Sequence, residues 1–590
     1  MTYLFNQPSA FARELTEGFV AAHADKVRQV PGGVVRSTRS REGGVAIVVG
    51  GGSGHYPAFA GLVGQGLAHG AAMGNLFASP SAQQICSVAR AAHNGGGVLL
   101  TFGNYAGDVL HFGQAKARLN AEGIPCELLA VTDDISSAPL NEWQKRRGVA
   151  GDLMVFKAAS AAAEAGYDLA AVLEVAERAN QRTRSLGVAF SGCTLPGAEH
   201  PLFTVPEGMM AVGMGIHGEP GIRDAPISTA DELAELLVSS LLKEVPQGIA
   251  TLSGQRISVV LNGLGGVKYE ELFVVYRRVS QLLVEQGLTV VEPEVGELVT
   301  SFDMAGLSLT LFWLDEELER FWRAPADAPA FRKGSMSPAE PLAERTFTAE
   351  LDVIPAATAA SKAAAHCVAS ALNAARDIVL ANVTELGRID AIAGDGDHGI
   401  GMERGVIAAA EKATEMLERQ AGAGTLLQRA ADAWADRAGG TSGAIWGVAL
   451  NALGTVLGDE QRPDGRRVAD GIRQAKESVM HFGKAKPGDK TLVDALIPFS
   501  LALTQRVEAG TRLPEAWQQA AQCAQQAADD TAQLLPKIGR ARPLAEKSLG
   551  TPDAGAISLA MILDAVSAVL NSDTTPTPSH QTATQAESER

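Results

Sequence analysis

At 590 residues the chain is too long for one hydrophobic core, and an apolar share of 46% is that of a globular protein of two or more domains. With 50 Lys and Arg against 67 Asp and Glu the formal charge is −17, which argues against a nucleic-acid or anionic-membrane surface and points to a small-molecule partner. Five scattered cysteines, odd in number and without CxxC spacing, suggest neither a disulfide framework nor a zinc site. The first 21 residues carry Arg13, Glu14 and Glu17 where a signal peptide needs an apolar core, and no window is expected to reach the ~18 apolar residues of a membrane span, so a cytoplasmic location is expected.

In chain order, Val45–Val49, Val98–Phe102, Glu127–Thr132, Gly187–Phe190, Ile257–Asn262 and Leu307–Leu311 read as strands. Ser81–His93, Val149–Ala163, Leu169–Arg184 and Glu270–Glu285 read as helices between them. This alternation predicts an α/β domain with largely buried strands, whose polar ligands belong at strand ends. From Arg323 to Glu350 the text turns to proline and small residues that sustain neither ladder nor helix, which predicts a linker. Beyond it no strand is expected. Helices are predicted near 356–385, 399–417, 423–438, 442–457, 466–482, 490–509, 512–534 and 554–571, an all-α second domain, followed by a disordered tail over 573–590.

Three stretches carry chemistry. The strand Ile47–Val49 stops at Gly50-Gly51-Gly52-Ser53-Gly54-His55, where glycines allow a tight turn and close backbone approach to a ligand; a plain strand-end turn has the same composition. Asp108 follows the strand Val98–Phe102 within Gly103-Asn104-Tyr105-Ala106-Gly107-Asp108. His217 lies in Met214-Gly215-Ile216-His217-Gly218-Glu219; a lone histidine is more often structural, but flanking glycines leave this ring nothing local to pack on and favour a reactive or ligand-facing role.

In the helical domain, Asp390, Asp395 and Asp397 place three carboxylates within eight residues interleaved with glycines. Their convergence is repulsive unless a hard cation such as Mg²⁺ neutralises it. An acidic turn that caps helices is the alternative, although capping does not need the glycines. Gly439-Gly440-Thr441-Ser442-Gly443, Gly488-Asp489-Lys490-Thr491 and Thr551-Pro552-Asp553-Ala554-Gly555 are further loop-to-helix junctions whose backbone donors and dipole suit phosphate, or whose hydroxyls simply cap. Together they read as a Mg-nucleotide site at one end of a helix bundle.

From about residue 10 to about residue 572 these motifs, with Thr300-Ser301-Phe302-Asp303-Met304 and Gly539-Arg540-Ala541-Arg542, resemble the dihydroxyacetone kinase family in its single-chain form, a K domain (1–330), a linker (331–350) and an L domain (351–572). The resemblance implies a K domain of two α/β subdomains, an eight-helix barrel L domain and a homodimer. It implies that His217 binds the ketone carbon of a small ketose as a hemiaminal, which excludes glycerol, with His55 and Asp108 binding and deprotonating the attacking hydroxyl. Gly52, Ser53, Gly54 and Gly103 would complete the substrate site. Asp390, Asp395 and Asp397 would hold Mg²⁺ on ATP, and His398, Gly399, Thr441, Ser442, Gly488, Thr491, Leu492, Arg542, Asp553, Ala554 and Gly555 would line the nucleotide.

The chain departs from the family pattern at Tyr56, Gly103 and Ala106, where Glu, Lys and Thr are usual, and at Ala554, where Pro is usual. Loss of a long cation at Gly103 vacates space, so a four-carbon ketose such as erythrulose is expected to fit at least as well as dihydroxyacetone; neutral drift is the competing reading. The lyase that cyclises FAD-type dinucleotides at the same metal site, and a non-catalytic ketose-binding regulator, are the alternative activities.

Overall fold

The computed structural model describes residues 3–337, 339–342, 353–392, 396–538 and 546–572. The chain divides into two units, Met1–Leu351 with Gly439–Ala444, and Asp352–Ala438 with Ile445–Arg590.

The first unit holds two sheets. One contains β1 (Val27–Val30), β2 (Gly33–Arg36), β3 (Ala46–Ser53), β4 (Gly70–Leu76), β5 (Val98–Gly103) and β6 (Cys126–Val131), in the order β1-β2-β4-β3-β5-β6. β4, β3, β5 and β6 run parallel, and β2 joins β4 antiparallel. Side chains alternate across β3: Ile47 and Val49 enter a core with Leu99, Met154 and Phe156, while Val48 enters one with Leu100, Phe102, Ile85 and Phe112. Both faces are therefore filled, and a ligand has access only at strand ends.

The other sheet contains β7 (Thr183–Ala189), β8 (Met209–Val212), β9 (Arg223–Pro226), β10 (Arg256–Gly263), β11 (Thr289–Val290), β12 (Glu294–Gly296) and β13 (Gly306–Leu314). Its order is β11-β10-β13-β7-β8-β9, with β12 also on β10. The β10–β13–β7–β8–β9 run is antiparallel throughout. That pairing corrects one expectation: the helix starting at Leu169 ends at Gln181 rather than Arg184, because Thr183–Ala189 is drawn into a full ladder with β13.

A second correction concerns the predicted linker. Ala326–Asp327 pairs with Arg332–Lys333, and Ala326, Ala328 and Phe331 are buried beside Trp322, so the start of that stretch is part of the core. Burial of its few apolar residues outweighs the breaker composition.

The described residues from 353 onward contain eight α-helices and no strand: Ala359–Asp390, His398–Glu418, Ala423–Ala438, Gly440–Leu457, Gly465–Gly483, Val493–Glu508, Leu513–Asp530 and Ala554–Ser572. The fold is an α/β region followed by a helical one, as the sequence indicates. The sixth helix begins at Val493 rather than 490 because Lys490 has φ +59°. Contrary to expectation, the last helix is long and apolar enough to span a membrane by length and composition, with mean hydropathy 1.7. It packs against the Ala359–Asp390, Val493–Glu508 and Leu513–Asp530 helices. The predicted tail lies outside the described residues.

Candidate active site

β3 delivers its glycines to a crowded turn. A Cβ on Gly52 would stand 2.8 Å from Ala78 N, and Gly54 adopts φ +113°, so neither position accepts a side chain without strain. The Ser53 hydroxyl donates to the Gly74 carbonyl at 2.7 Å and thereby pins β3 to β4. Ser53 is thus spent on the turn, and the next polar side chain, His55, is the one presented.

His55 and His217 face each other with Nε2–Nε2 at 3.0 Å. His55 Nδ1 lies 2.8 Å from the Thr300 carbonyl, which only accepts, so Nδ1 carries the proton. His217 Nδ1 lies 3.1 Å from Glu219 Oε1, and Glu219 Oε2 also accepts from the His217 backbone N–H at 3.0 Å. Burial opposes the ionised Glu219, yet His217 and Arg147 hold its carboxyl well below the usual range. With both Nδ1 atoms donating, the two Nε2 atoms meet lone pair to lone pair unless one proton lies between them. Burial, then the neighbouring His217, push His55 down to about 3, so His55 is the acceptor in that bridge.

The His217 loop is the connection from β8 to β9. Arg147 ties it down, donating to Asp134 Oδ2 at 2.9 Å and to the Gly213 carbonyl at 3.0 Å, while Ser301 Oγ donates to the Ile216 carbonyl at 2.6 Å. The flanking glycines leave the ring no local neighbour, as expected, but it is not free. Tyr105, His55 and Phe77 surround it edge-to-face, with centroids at 4.7, 4.7 and 5.2 Å.

Asp108 lies in the first turn of the helix Ala106–Ala121, three residues after Tyr105, and is buried. Burial raises its pKa to about 7, against a hydrogen bond from Ser79. A carboxylate with a pKa near neutrality is suited to accept a hydroxyl proton. Gly103 ends β5 beside Tyr105. Of the sequence departures, Tyr56 packs its ring on Phe19 at 5.9 Å and Ala106 is exposed, so Gly103 is the one that borders the aromatic wall of His217.

In the helical unit Asp390 closes the first helix and its Oδ2 accepts from His398 N at 3.3 Å. Asp397 occupies the N-cap position of the next helix yet makes no capping hydrogen bond there. Burial first, then Asp390, raises its pKa to about 6. Asp390 thus accepts from the first N–H of the next helix while its charge opposes ionisation of Asp397, an arrangement of carboxyl groups that could hold a hard cation. Asp395 and Arg542 lie outside the described residues.

His398 Nε2 lies 3.0 Å from Ser558 Oγ, which donates to the Gly555 carbonyl at 3.0 Å, so His398 and the Asp553–Gly555 loop are joined. Gly399 follows in the first turn. Asp553 caps the last helix through Ala556 N at 2.8 Å. Thr441 and Ser442 fall in the first turn of the helix that opens at Gly440.

The 488–491 junction differs from its expectation. The Gly488 and Thr491 N–H groups both donate to the Asp494 carboxylate, the second at 2.9 Å, so they are not available as phosphate donors. Lys490 is buried and donates to the carbonyls of Leu534 and Ser548 at 3.1 and 2.7 Å. Gly488, Thr491 and Leu492 therefore shape a loop wall. Glu219 and Thr300, quoted above only as members of motifs, and Arg147 and Asp494 carry this geometry without having been given a role by the sequence. Glu219, two residues from His217 in the same glycine-framed loop, had a readable signal.

A model of the Dak1 domain matches residues 17–330, and one of the DAK2 domain matches residues 392–568. An L-erythrulose kinase of Pectobacterium atrosepticum is 97% identical over 590 residues, covering 100% of both chains. A D-erythrulose kinase of Mycolicibacterium smegmatis is 54% identical over 574 residues, covering 95% of this chain and 97% of its own. The crystal structure of the dihydroxyacetone kinase from C. freundii in complex with AMP-PNP and Mg²⁺ is 30% identical, covers 96% of this chain and 99% of its own, and superposes with a TM-score of 0.51. The fold and site define a kinase with both domains on one polypeptide, and the chain belongs to the dihydroxyacetone kinase family.

Proposed function

We propose that the protein transfers the γ-phosphoryl group of ATP to a terminal hydroxyl of a small ketose, with L-erythrulose the preferred acceptor. The observation that carries this reading is the His55–His217 pair, whose outer nitrogens are fixed by the Thr300 carbonyl and the Glu219 carboxylate. The name of the 97% identical relative supports the choice of sugar.

On this reading each group takes a step. The bridging proton passes from His217 Nε2 to His55 Nε2, and the freed His217 lone pair attacks the keto carbon. As the C–N bond forms, the C=O π pair moves to oxygen, which takes the proton from His55. The product is a hemiaminal whose imidazolium charge is matched by Glu219, and His55 returns to its neutral form. A bond to the substrate holds a sugar too small to bind by contacts alone. Asp108 then accepts the proton of the hydroxyl that attacks phosphorus.

Asp390, Asp395 and Asp397 are the residues that would hold Mg²⁺, which supplies charge neutralisation on the phosphates when bound. His398, Gly399, Thr441, Ser442, Asp553, Ala554, Gly555 and Arg542 would receive the nucleotide, with Gly488, Thr491 and Leu492 walling it. The same reading makes the protein a cytoplasmic homodimer, checked by sizing in solution.

Coupled ADP release with Mg²⁺ across L-erythrulose, D-erythrulose, dihydroxyacetone and glycerol tests the proposal, with an arm that follows AMP release from FAD and Mn²⁺. L-erythrulose is expected to show the highest kcat/KM and glycerol no turnover. Glycerol phosphorylated as fast as the ketoses would remove the hemiaminal, and dominant FAD cleavage would replace the kinase reading.

A further inference from the structure

The turn that follows β4 touches both His55 and Asp108. Phe77 stacks on the His55 ring, with centroids 4.8 Å apart and an interplanar angle of 11°. Ser79, next but one, puts its Oγ against the start of the helix Ala106–Ala121, where a Cβ built on Gly107 would stand 2.6 Å from it. The next residue of that helix is Asp108, to whose carboxyl Ser79 donates. The turn itself is fixed by other groups. Phe77 N donates to the Ser53 carbonyl at 2.9 Å and Ala78 N to the Asn75 carbonyl at 3.1 Å. Ser81 caps the helix Ala82–Ala92 in a capping box with Gln84, and the Ser53 hydroxyl is held by Gly74. Among these serines, Ser79 is the one whose hydroxyl goes to the site rather than to the fold.

Asp108 Oδ1 is buried without a hydrogen-bond partner, so the Ser79 bond falls on the other oxygen. A buried polar atom left bare costs free energy and is normally completed by ligand or water. A hydroxyl donor on one carboxylate oxygen fixes the orientation of the group and favours its ionised form, the form a general base needs. The titratable groups around Asp108 supply no positive charge to it. Burial, then Asp133 and Asp108, hold the Asp152 carboxyl well above the usual range, and burial foremost lifts the Tyr105 phenol. Burial, then Arg118, push His111 down to about 4, so it is uncharged near neutrality. Cys86, Arg90 and Glu127, on the elements packed along the helix, meet it at Ala115, Glu122 and Lys116, far from its first turn.

We infer that Ser79 is a positioning residue for the phosphoryl-transfer step, its hydroxyl holding one oxygen of Asp108 so that the other, Oδ1, is left bare for the proton of the attacking ketose hydroxyl. The inference rests on the reading of Asp108 as the base. The one turn thereby sets the base through Ser79 and the His55 ring through Phe77.

The test is the dependence of kcat on pH in the full-length enzyme with L-erythrulose, for wild type, Ser79→Ala, Ser79→Thr and Gly107→Ala. Wild-type kcat should rise through a midpoint near pH 7. Losing the donor disfavours the ionised base, so the Ser79→Ala midpoint should move up by about one pH unit, with kcat about fivefold lower at pH 7 and within about twofold of wild type at pH 9. KM for the ketose should change by less than about twofold, since Ser79 touches the base and not the sugar. Ser79→Thr keeps the hydroxyl and should keep the wild-type midpoint. Gly107→Ala displaces Ser79 Oγ without deleting it and should move the midpoint upward as Ser79→Ala does. A Ser79→Ala enzyme slowed by one factor at every pH, or unchanged at every pH, would overturn the inference and leave Asp108 as the base. A wild-type profile flat between pH 6 and 8 would instead remove Asp108 as the base, and the inference with it. Should Ser79→Ala not fold, Gly107→Ala decides by the same readout.

Discussion

In the first unit each site imidazole is held by a single acceptor, Thr300 O for His55 and Glu219 for His217, and their remaining nitrogens point at one another. In the second unit the polar groups at the helix starts mostly answer one another: Asp494 takes the N–H groups of Gly488 and Thr491, and Lys490 takes the carbonyls of Leu534 and Ser548. The carboxyl groups of Asp390, Asp397 and Asp553 lie among them, Asp390 accepting from His398 N and Asp553 from Ala556 N, and burial, then Asp494 and Asp390, raise Asp553 to about 7. The first site is specified by a nucleophile and its proton, and the second by a rigid frame around a surplus of carboxyl groups. Substitutions in the first should alter chemistry and substrate affinity. Those in the frame of the second should alter stability and nucleotide affinity together.

The sharpest test falls on Asp108. Asp108→Asn removes the proton acceptor without changing shape, and kcat should fall by about 10²–10⁴ while the melting temperature stays within a few degrees. The pH profile fixes the sign. The base works ionised, and burial places its pKa at about 7, so wild-type kcat should rise as pH passes upward through 7 and level off above it. A flat profile between pH 6 and 8, with Asp108→Asn still active, would assign the proton transfer elsewhere.

His217→Ala is expected to have a smaller effect on a different constant. With the covalent bond gone, KM for the ketose should rise about tenfold or more, equivalent to at least ~1.4 kcal/mol of substrate binding, with nucleotide affinity measured by calorimetry unchanged. An unaltered ketose KM would mean that binding is carried by hydrogen bonds such as those of His55 and Asp108 rather than by the covalent bond.

How far the sequence discloses this contrast depends on where each interaction is encoded. The eight helices were legible because alanine-rich amphipathic runs such as Ala423–Ala438 satisfy their own backbones, and glycine framing singled out His55 and His217. The boundary at Gln181 was not, since Thr183–Ala189 becomes a strand only through its ladder with β13, more than a hundred residues away. The role of Thr300 was hidden for a deeper reason: it is the carbonyl that holds His55, and a carbonyl is common to every residue type. Asp494 was within reach. A threonine followed three residues later by an acidic residue is a capping pattern, and here the carboxylate turns back onto Thr491 N. The Pro- and Ala-rich stretch after Arg323 misled because composition reports breakers but not the burial of Ala326, Ala328 and Phe331.

The smallest effect is expected at Lys490, and it tests the other half of the contrast. Lys490→Met keeps the length and apolar body of the side chain but removes its ammonium donors, leaving the Leu534 and Ser548 carbonyls and Ser548 Oγ without this partner. The loss should cost the helical unit about 1 kcal/mol, read as a lower urea midpoint, because the Leu534 carbonyl loses this donor while the Ser548 carbonyl keeps the Thr551 N–H. The loop formed by Gly488, Asp489 and Thr491 loses its anchor at the same time, so KM for ATP should rise a few-fold, whereas KM for the ketose should stay at the wild-type value. A ketose KM that moved as much as the ATP one would show that the two sites share their support. A changed ATP KM with an unchanged urea midpoint would mean that Lys490 acts on the nucleotide itself, and that the helical unit, like the first, keeps a side chain in reserve for its ligand.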